Sequence, residues 1–298
     1  MFIPRILIAS AVLAWSASAQ RVCNGHAEYC ALRYPEVTQI GAHDSPFVGP
    51  LPQHNQNLEV TEQLDMGIRF LQGQTRIDID GQLSMCHTDC FLEDAGPVED
   101  FLSTVKTWMD DHPDEVITLL LTNPDTFSIG DFDKAFNGSG ITEYAFVPPT
   151  SPEFLEMDSW PTFDELISAG TRLITFLDSG ADVETVPYIL DEWQYFFETP
   201  FGVTDPDFQQ CTLDRPADAS PDGRMYIVNH FLDIELFSGV LVPHRLAAPR
   251  TNAATGDGSI GSQSDLCTTT YSRQPNLILA DFVDKGEVMK AQDLLNGF

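Results

Sequence analysis

Positive charge is what this sequence has least of. Its 298 residues hold 15 lysines and arginines against 45 aspartates and glutamates, a formal net charge of −30. Such a surface repels the phosphates of nucleic acid and the head groups of anionic membranes, so neither is an expected partner. The acids are dispersed, with no run long enough to dock a cationic partner, and solubility accounts for them. A charge of this size is best tolerated in acid or at high salt, where it is neutralised or screened. Long apolar runs are missing too. The segment Ile6–Ala14 follows Arg5 and precedes Ala17-Ser18-Ala19. That is the pattern of a signal peptide over residues 1–19, with the mature chain spanning 20–298. The run is shorter than the roughly 20 residues a membrane span needs. The last residues, Asp293 to Phe298, lack the apolar tail of a lipid-anchor signal. The expectation is a secreted, extracellular, soluble monomer without stable membrane insertion.

Cysteine is scarce, with six residues, and their spacings do not repeat in the pairs a zinc site uses. In an exported chain disulfides are the default. The sequence alone does not fix the connectivity. Proximity favours Cys23–Cys30 and Cys86–Cys90, which leaves Cys211–Cys267. The second pairing would hold His87 inside a tight covalent ring. Asn137-Gly138-Ser139 is a sequon, and Asn137 is an expected N-glycosylation site.

No low-complexity linker or internal repeat interrupts residues 20–298, which suit one domain of α/β-barrel size. Strand-like segments read as Val37–Ala42, Ile68–Gln74, Glu115–Thr122, Arg172–Leu177, Tyr195–Phe197, Met225–Val228 and Asn276–Ala280. The nearly all-apolar Glu115–Thr122 has the character of a strand buried on both faces of a parallel sheet. Between these lie helical patterns at Leu58–Met66, from Pro97 through Trp108, at Phe163–Ser168 and at Glu287–Leu295. Arg76–Ile79 and Leu83–Cys86 flank an Asp80-Gly81 turn and read as a hairpin. Leu246–Ser272, rich in Ala, Thr, Gly and Ser, reads as a long excursion tied down by Cys267.

Strand after strand ends in a polar or ionisable residue: His43, Gln74, His87, Thr122, Asp178, Glu198, His230 and Asp281. In a barrel of parallel strands those exits share one face, where chemistry is built. Two of them, His43 in Gly41-Ala-His-Asp-Ser45 and His87 in Leu83-Ser-Met-Cys-His87, could flank one substrate. One imidazole would remove a proton while the other supplies one. His26, His54, His112 and His244 read as loop or helix-end residues, and Trp193, Tyr195 and Phe196 as packing residues.

Gln39-Ile-Gly-Ala-His-Asp-Ser45, Gly67-Ile-Arg-Phe-Leu71, Leu83-Ser-Met-Cys-His87, Glu115-Val-Ile-Thr-Leu119 and Asn276-Leu-Ile-Leu-Ala-Asp-Phe282 follow in one order. Together they resemble the phosphatidylinositol-specific phospholipase C X-domain superfamily, in particular its secreted PLC-like phosphodiesterases. The resemblance implies a single-domain, distorted TIM-like (β/α)8 barrel of the α/β class. It also implies a phosphoric diester hydrolase or lyase acting on a small phosphodiester or phospholipid head group, with His43 as general base and His87 as general acid. Asp44 matches the aspartate that assists the acid, and Asp281, or else Asp284, the carboxylate that orients the base.

Two departures stand out. Gln74 lies where metal-free bacterial members carry an arginine, with Arg76 two residues on as the candidate phosphate contact. Gln72 and Gln74 also replace the acidic ligands of metal-dependent relatives such as the glycerophosphodiesterase and sphingomyelinase D groups, and amides suit calcium or magnesium less well than carboxylates. No cofactor is therefore expected, although Asp44, Asp78 and Asp80 keep a metal-dependent alternative open. The lysine that contacts inositol phosphate in bacterial members falls near Thr122 or Asn123. Asp178, Glu198 and His230 complete the candidate substrate contacts. The alternatives are a repurposed barrel that binds a phosphorylated or sugar ligand without cleaving it, and a glycosidase using a carboxylate pair. The glycosidase leaves both histidines unexplained.

Overall fold

The computed structural model describes residues 20–237 and 239–298. The expected signal peptide over 1–19 lies outside the described residues. Among the described residues twelve strands are formed: β1 (Gln39–Ala42), β2 (Phe70–Ile77), β3 (Leu83–Cys86), β4 (Asp94–Pro97), β5 (Ile117–Thr122), β6 (Leu173–Leu177), β7 (Ile189–Asp191), β8 (Phe196–Glu198), β9 (Met225–Asn229), β10 (Asp233–Phe237), β11 (Val240–Pro243) and β12 (Leu277–Ala280). Eight of them make a curled parallel sheet in the order β7-β6-β5-β2-β1-β12-β9-β8. This is the expected distorted barrel, with one seam left open between β7 and β8.

The seam has a plain cause. Parallel neighbours need a crossover of a dozen or more residues, whereas β7 and β8 are joined only by the four residues Glu192–Tyr195. The free edge of β8 is covered instead by a bridge to Arg215, whose carbonyl accepts the Glu198 N–H at 2.8 Å.

Strand pleating sorts side chains between two cores. Along β5, Ile117, Leu119 and Leu121 pack outward with Leu102, Val105 and Met109, while Leu120 joins Phe70, Phe176, Ile227 and Leu279. Each fully buried aliphatic or aromatic side chain contributes roughly 1.5–3 kcal/mol. Tyr34 and Trp160 belong to the second core, and the Tyr34 hydroxyl meets Thr118 Oγ1 at 2.9 Å, near the start of β5. Polar residues are thus left for the opposite end, where the strands exit.

The helices are α1 (Val60–Asp65), α2 (Val98–Asp111), α3 (Ile129–Ser139), α4 (Phe163–Ala169), α5 (Glu192–Tyr195), α6 (Ala248–Thr251), α7 (Ile260–Tyr271) and α8 (Val288–Leu295). Thr162 and Glu165 form a capping box at the start of α4, and Gly170 ends it at φ +77°, as the composition there dictates.

Leu246–Ser272 is corrected from an excursion to a largely helical segment. In α7 the buried positions Ile260, Gln263, Ser264 and Cys267 keep helical spacing, but two are polar and hide the stripe. Thr268, Thr269 and Thr270 bond back to carbonyls four residues earlier, which reconciles three threonines with a helix interior. The strand expected at Tyr195–Phe197 begins one residue later, because Tyr195 closes α5. The antiparallel pair β10–β11 and helix α3 were not expected from the sequence. The three disulfides pair as proximity suggested: Cys23–Cys30, Cys86–Cys90 and Cys211–Cys267.

Candidate active site

The exits of β1, β2, β5, β6, β8, β9 and β12 meet around a cavity of about 460 Å³ whose lining includes His43, Asp44, Gln74, His87 and Asp178. His43 follows directly on β1, and its backbone N–H donates to the Ala280 carbonyl at 3.0 Å. Its Nδ1 lies 2.9 Å from Asp281 Oδ1. Asn55 Nδ2 donates to the same oxygen at 3.0 Å. Phe231 stacks on the imidazole at 3.7 Å between centroids and 3° between planes. Ring position is thereby fixed from three sides. Asp284, the alternative partner, instead meets Asn57 and Lys285.

Asp44 is fully buried, and its Oδ2 is the hub of the site. The Nε2 atoms of His43 and His87 each lie 3.4 Å from it. Gln74 Nε2 donates to the same oxygen at 2.9 Å, and Gln72 Oε1 accepts the Asp44 backbone N–H at 2.7 Å. The other oxygen, Oδ1, is buried without a hydrogen-bond partner. Burial alone would lower the His43 pKa, but Asp44, Asp281 and Asp233 outweigh it and push it up to about 9. A carboxylate within a few ångströms favours imidazolium, which is the sign expected.

His87 reaches the cavity from β3. Only Phe70–Gln74 of β2 pairs with β5; Thr75–Ile77 continues past the sheet and pairs with β3. This overhang carries the Cys86–Cys90 loop, and with it His87, over the cavity. Arg76 also lines the cavity. Its Nη1 pairs with Asp125 at 3.0 Å, while its Nε is buried without a partner. Asp78 is consumed by the turn, accepting from the Asp80 and Gln82 N–H groups and from Ser84. Among the described residues no group of three His, Cys, Asp or Glu side chains is arranged to hold a metal ion.

The far wall is rich in carboxylates. Glu198 pairs with Arg215 and accepts from Asn229 Nδ2 at 3.1 Å. Asp178 accepts the Asn123 backbone N–H at 2.7 Å, and burial pushes its pKa up to about 6. Glu192 is held well above the ordinary range by burial and by neighbouring Glu198. Asp233 is raised to about 6 by burial and then by Asp281.

Most of the residues expected at the site therefore meet there: His43, His87, Asp44, Asp281, Gln74, Arg76, Asp178 and Glu198. His230 does not. It is fully buried away from the cavity, with Nδ1 at 2.6 Å from Gln263 and Nε2 at 2.7 Å from the Thr251 carbonyl. It anchors α6 and α7, because the strand pleat points its neighbour Asn229 inward instead. Trp193 lines the cavity, whereas Tyr195 and Phe196 are buried as expected. Asn137 is exposed in the last turn of α3. Asn55, Arg215, Asp233, Phe231 and Glu93 (beside His87) were not singled out in the sequence. They stand on loops or a new hairpin, where no periodicity marks them.

Comparison with known proteins identifies the family. Residues 29–296 match the family described as PI-PLC X 1. A protein of Arthroderma benhamiae named PI-PLC X domain-containing protein 1 is 57% identical over 277 residues, covering 93% of this chain and 90% of that one. An uncharacterized secreted protein of the same organism is 40% identical over 275 residues, covering 90% of this chain and 61% of that one. Among solved structures, the phosphatidylinositol-specific phospholipase C of Listeria monocytogenes superposes with a TM-score of 0.58 at 15% identity, covering 91% of this chain and 97% of that one. The Staphylococcus aureus enzyme, in a structure addressing modulation of its membrane binding, gives 0.59 at 12% identity over 90% of this chain and 94% of that one. These two likenesses bear on the fold.

Proposed function

This chain belongs to the PI-PLC X family, and from that premise we propose that it is a secreted phosphodiesterase using two-histidine acid–base catalysis. One observation carries the reading: two imidazole Nε2 atoms, each 3.4 Å from the same oxygen of buried Asp44, at the mouth of one cavity. His43 removes the proton from a substrate hydroxyl next to the phosphodiester, and that oxygen forms a new bond to phosphorus. The bond to the leaving oxygen breaks as His87 delivers a proton to it. The products are a cyclic phosphate and an alcohol. Asp281 and Asn55 orient the base, Asp44 holds both rings, and Arg76, which lines the cavity, is the candidate phosphate contact.

A lipid surface is the proposed source of substrate. Ile79 and Phe91, 99% and 95% exposed, flank the overhang, and Phe237 and Leu241 project from the β10–β11 pair on the other side. Exposed apolar groups around a site mark an interaction surface, and the net charge favours a zwitterionic one. A binding-only barrel is the second reading, favoured because Arg76 and Arg215 are each already paired with a carboxylate. A divalent metal fits the donors poorly, since Gln72 and Gln74 both hydrogen-bond to Asp44.

The test is turnover of phosphatidylinositol, lysophosphatidylcholine, sphingomyelin and glycerophosphodiesters with and without EDTA, with products followed by phosphorus NMR. A cyclic phosphate formed equally in both conditions is expected. Binding without turnover would establish the second reading. Loss in EDTA restored by calcium or magnesium would overturn metal-free catalysis.

A further inference from the structure

His43 sits between two carboxylates, Asp44 at Nε2 and Asp281 at Nδ1. His87 has Asp44 at Nε2 as well, and a second carboxylate stands on its other side. Glu93 Oε2 is 4.0 Å from His87 Nδ1, beyond a hydrogen bond yet within ion-pair reach. Resting-state catalytic contacts are often long and tighten when substrate is bound. That Oε2 is buried and has no hydrogen-bond partner.

The opposite oxygen of Glu93 is accounted for. His54 Nε2 lies 3.0 Å from Glu93 Oε1. The Leu51 backbone N–H donates to His54 Nδ1 at 3.0 Å, which makes Nδ1 the acceptor and leaves the proton on Nε2. His54 therefore donates to Glu93 as a neutral ring. Burial lowers its pKa, with Arg245 and His87 acting in the same direction against the Gly49 backbone. The ring occupies the space a side chain on Gly49 would need, and this fixes it in place.

The backbone aims the carboxylate. The His87 N–H donates to the Glu93 carbonyl at 3.2 Å, and the Glu93 N–H donates to the Asp89 carbonyl at 3.1 Å. The Cys86–Cys90 bond closes the same loop, and Phe47 stacks against the far face of His87 at 5.1 Å. The charged groups facing this string are Asp44 from the exit of β1 and Arg245 across the Gly49–Leu51 loop. Burial and the charge of Asp44 push Glu93 up to about 7.

Resting on the two-histidine reading, we infer that Glu93, held by His54, is the positioning residue of the acid histidine, as Asp281 is of the base. It keeps a proton on His87 Nδ1 and so leaves the Nε2 proton as the one delivered to the leaving oxygen.

Glu93→Gln keeps the shape and removes the charge. In this variant the alkaline limb of kcat/KM should move down by about one pH unit, with kcat about tenfold lower on a poor leaving group. The loss on a nitrophenolate-type leaving group should be small. Glu93→Asp should recover part of the rate, and thermal unfolding checks that both variants fold. NMR of the His87 ring nitrogens needs no substrate: in Glu93→Gln the share of the ring protonated at Nδ1 should fall relative to the unmodified protein. An unchanged share of Nδ1 protonation, or equal rate losses on both leaving groups, overturns the inference. A chain without turnover whose His87 still loses Nδ1 protonation in Glu93→Gln would sink the phosphodiesterase reading and leave the pairing with Glu93 standing.

Discussion

Three polar turns at the site carry a left-handed residue that is not glycine: Asp44 at φ +49°, Thr88 at +62° and Phe282 at +48°. Such conformations cost on the order of 1–3 kcal/mol each and gather at functional sites. Here they break the alternation of the strand, so that consecutive His43 and Asp44 both face the cavity. Changing either His43→Ala or His87→Ala should lower turnover by about 100- to 10,000-fold. A substrate with a very good leaving group should rescue only the His87 variant; equal rescue in a rate assay would refute the division of roles. Since the base works unprotonated and His43 is raised to about 9, kcat/KM should climb with pH toward that value. Asp281→Asn should bring the limb back down. The same shift links to stability. A histidine raised in the folded state lends stability that is full below about 6.5 and lost as pH rises through about 9. Gly41-Ala-His-Asp-Ser45 and Cys86-His87 were legible in the sequence because their residue types sit at strand exits. Glu93 and Asn55 were not, since only the folding of two loops brings them to the rings.

Among the elements, the overhanging β2–β3 ribbon and the α7 segment are both fastened by disulfides, at very different loop lengths. The Cys86–Cys90 bond spans a sequence separation of 4 and Cys211–Cys267 one of 56. Chain entropy assigns about 2 kcal/mol to the shorter and about 4 kcal/mol to the longer. Cys211→Ser with Cys267→Ser should therefore lower Tm more, while Cys86→Ser with Cys90→Ser should lower kcat more. Calorimetry and initial rates on both pairs would check the crossing, and a parallel ranking in both measurements would count against it. The ribbon was readable from its Asp-Gly turn, and the parallel strands from their apolar runs. Helix α7 was not, because glutamine and serine occupy half of its buried stripe, and its three consecutive threonines favour strands in isolation.

At the scale of the molecule, a net charge of −30 means that like charges repel across the whole surface. Raising ionic strength from about 0.01 to 0.15 M shortens the screening distance from about 30 to 8 Å, so Tm should rise with salt at neutral pH. A Tm independent of salt would show the acids to be already compensated locally. The charge was plain in the composition, whereas the gap in the sheet was not, since nothing in Ile189–Glu198 announces that its two short strands fail to pair. That gap has its own consequence. A closed ring of strands sets its diameter by strand number and stagger, but here no ladder ties β7 to β8. Glu192, Trp193, Phe201 and Arg215 stand along the slit and line the cavity. Exchanges among them can widen or narrow the cavity without breaking a single strand pairing. Under the proposed function, divergence in substrate preference, in natural lineages or in a selection experiment, is therefore expected along this slit, while the histidine side stays constant.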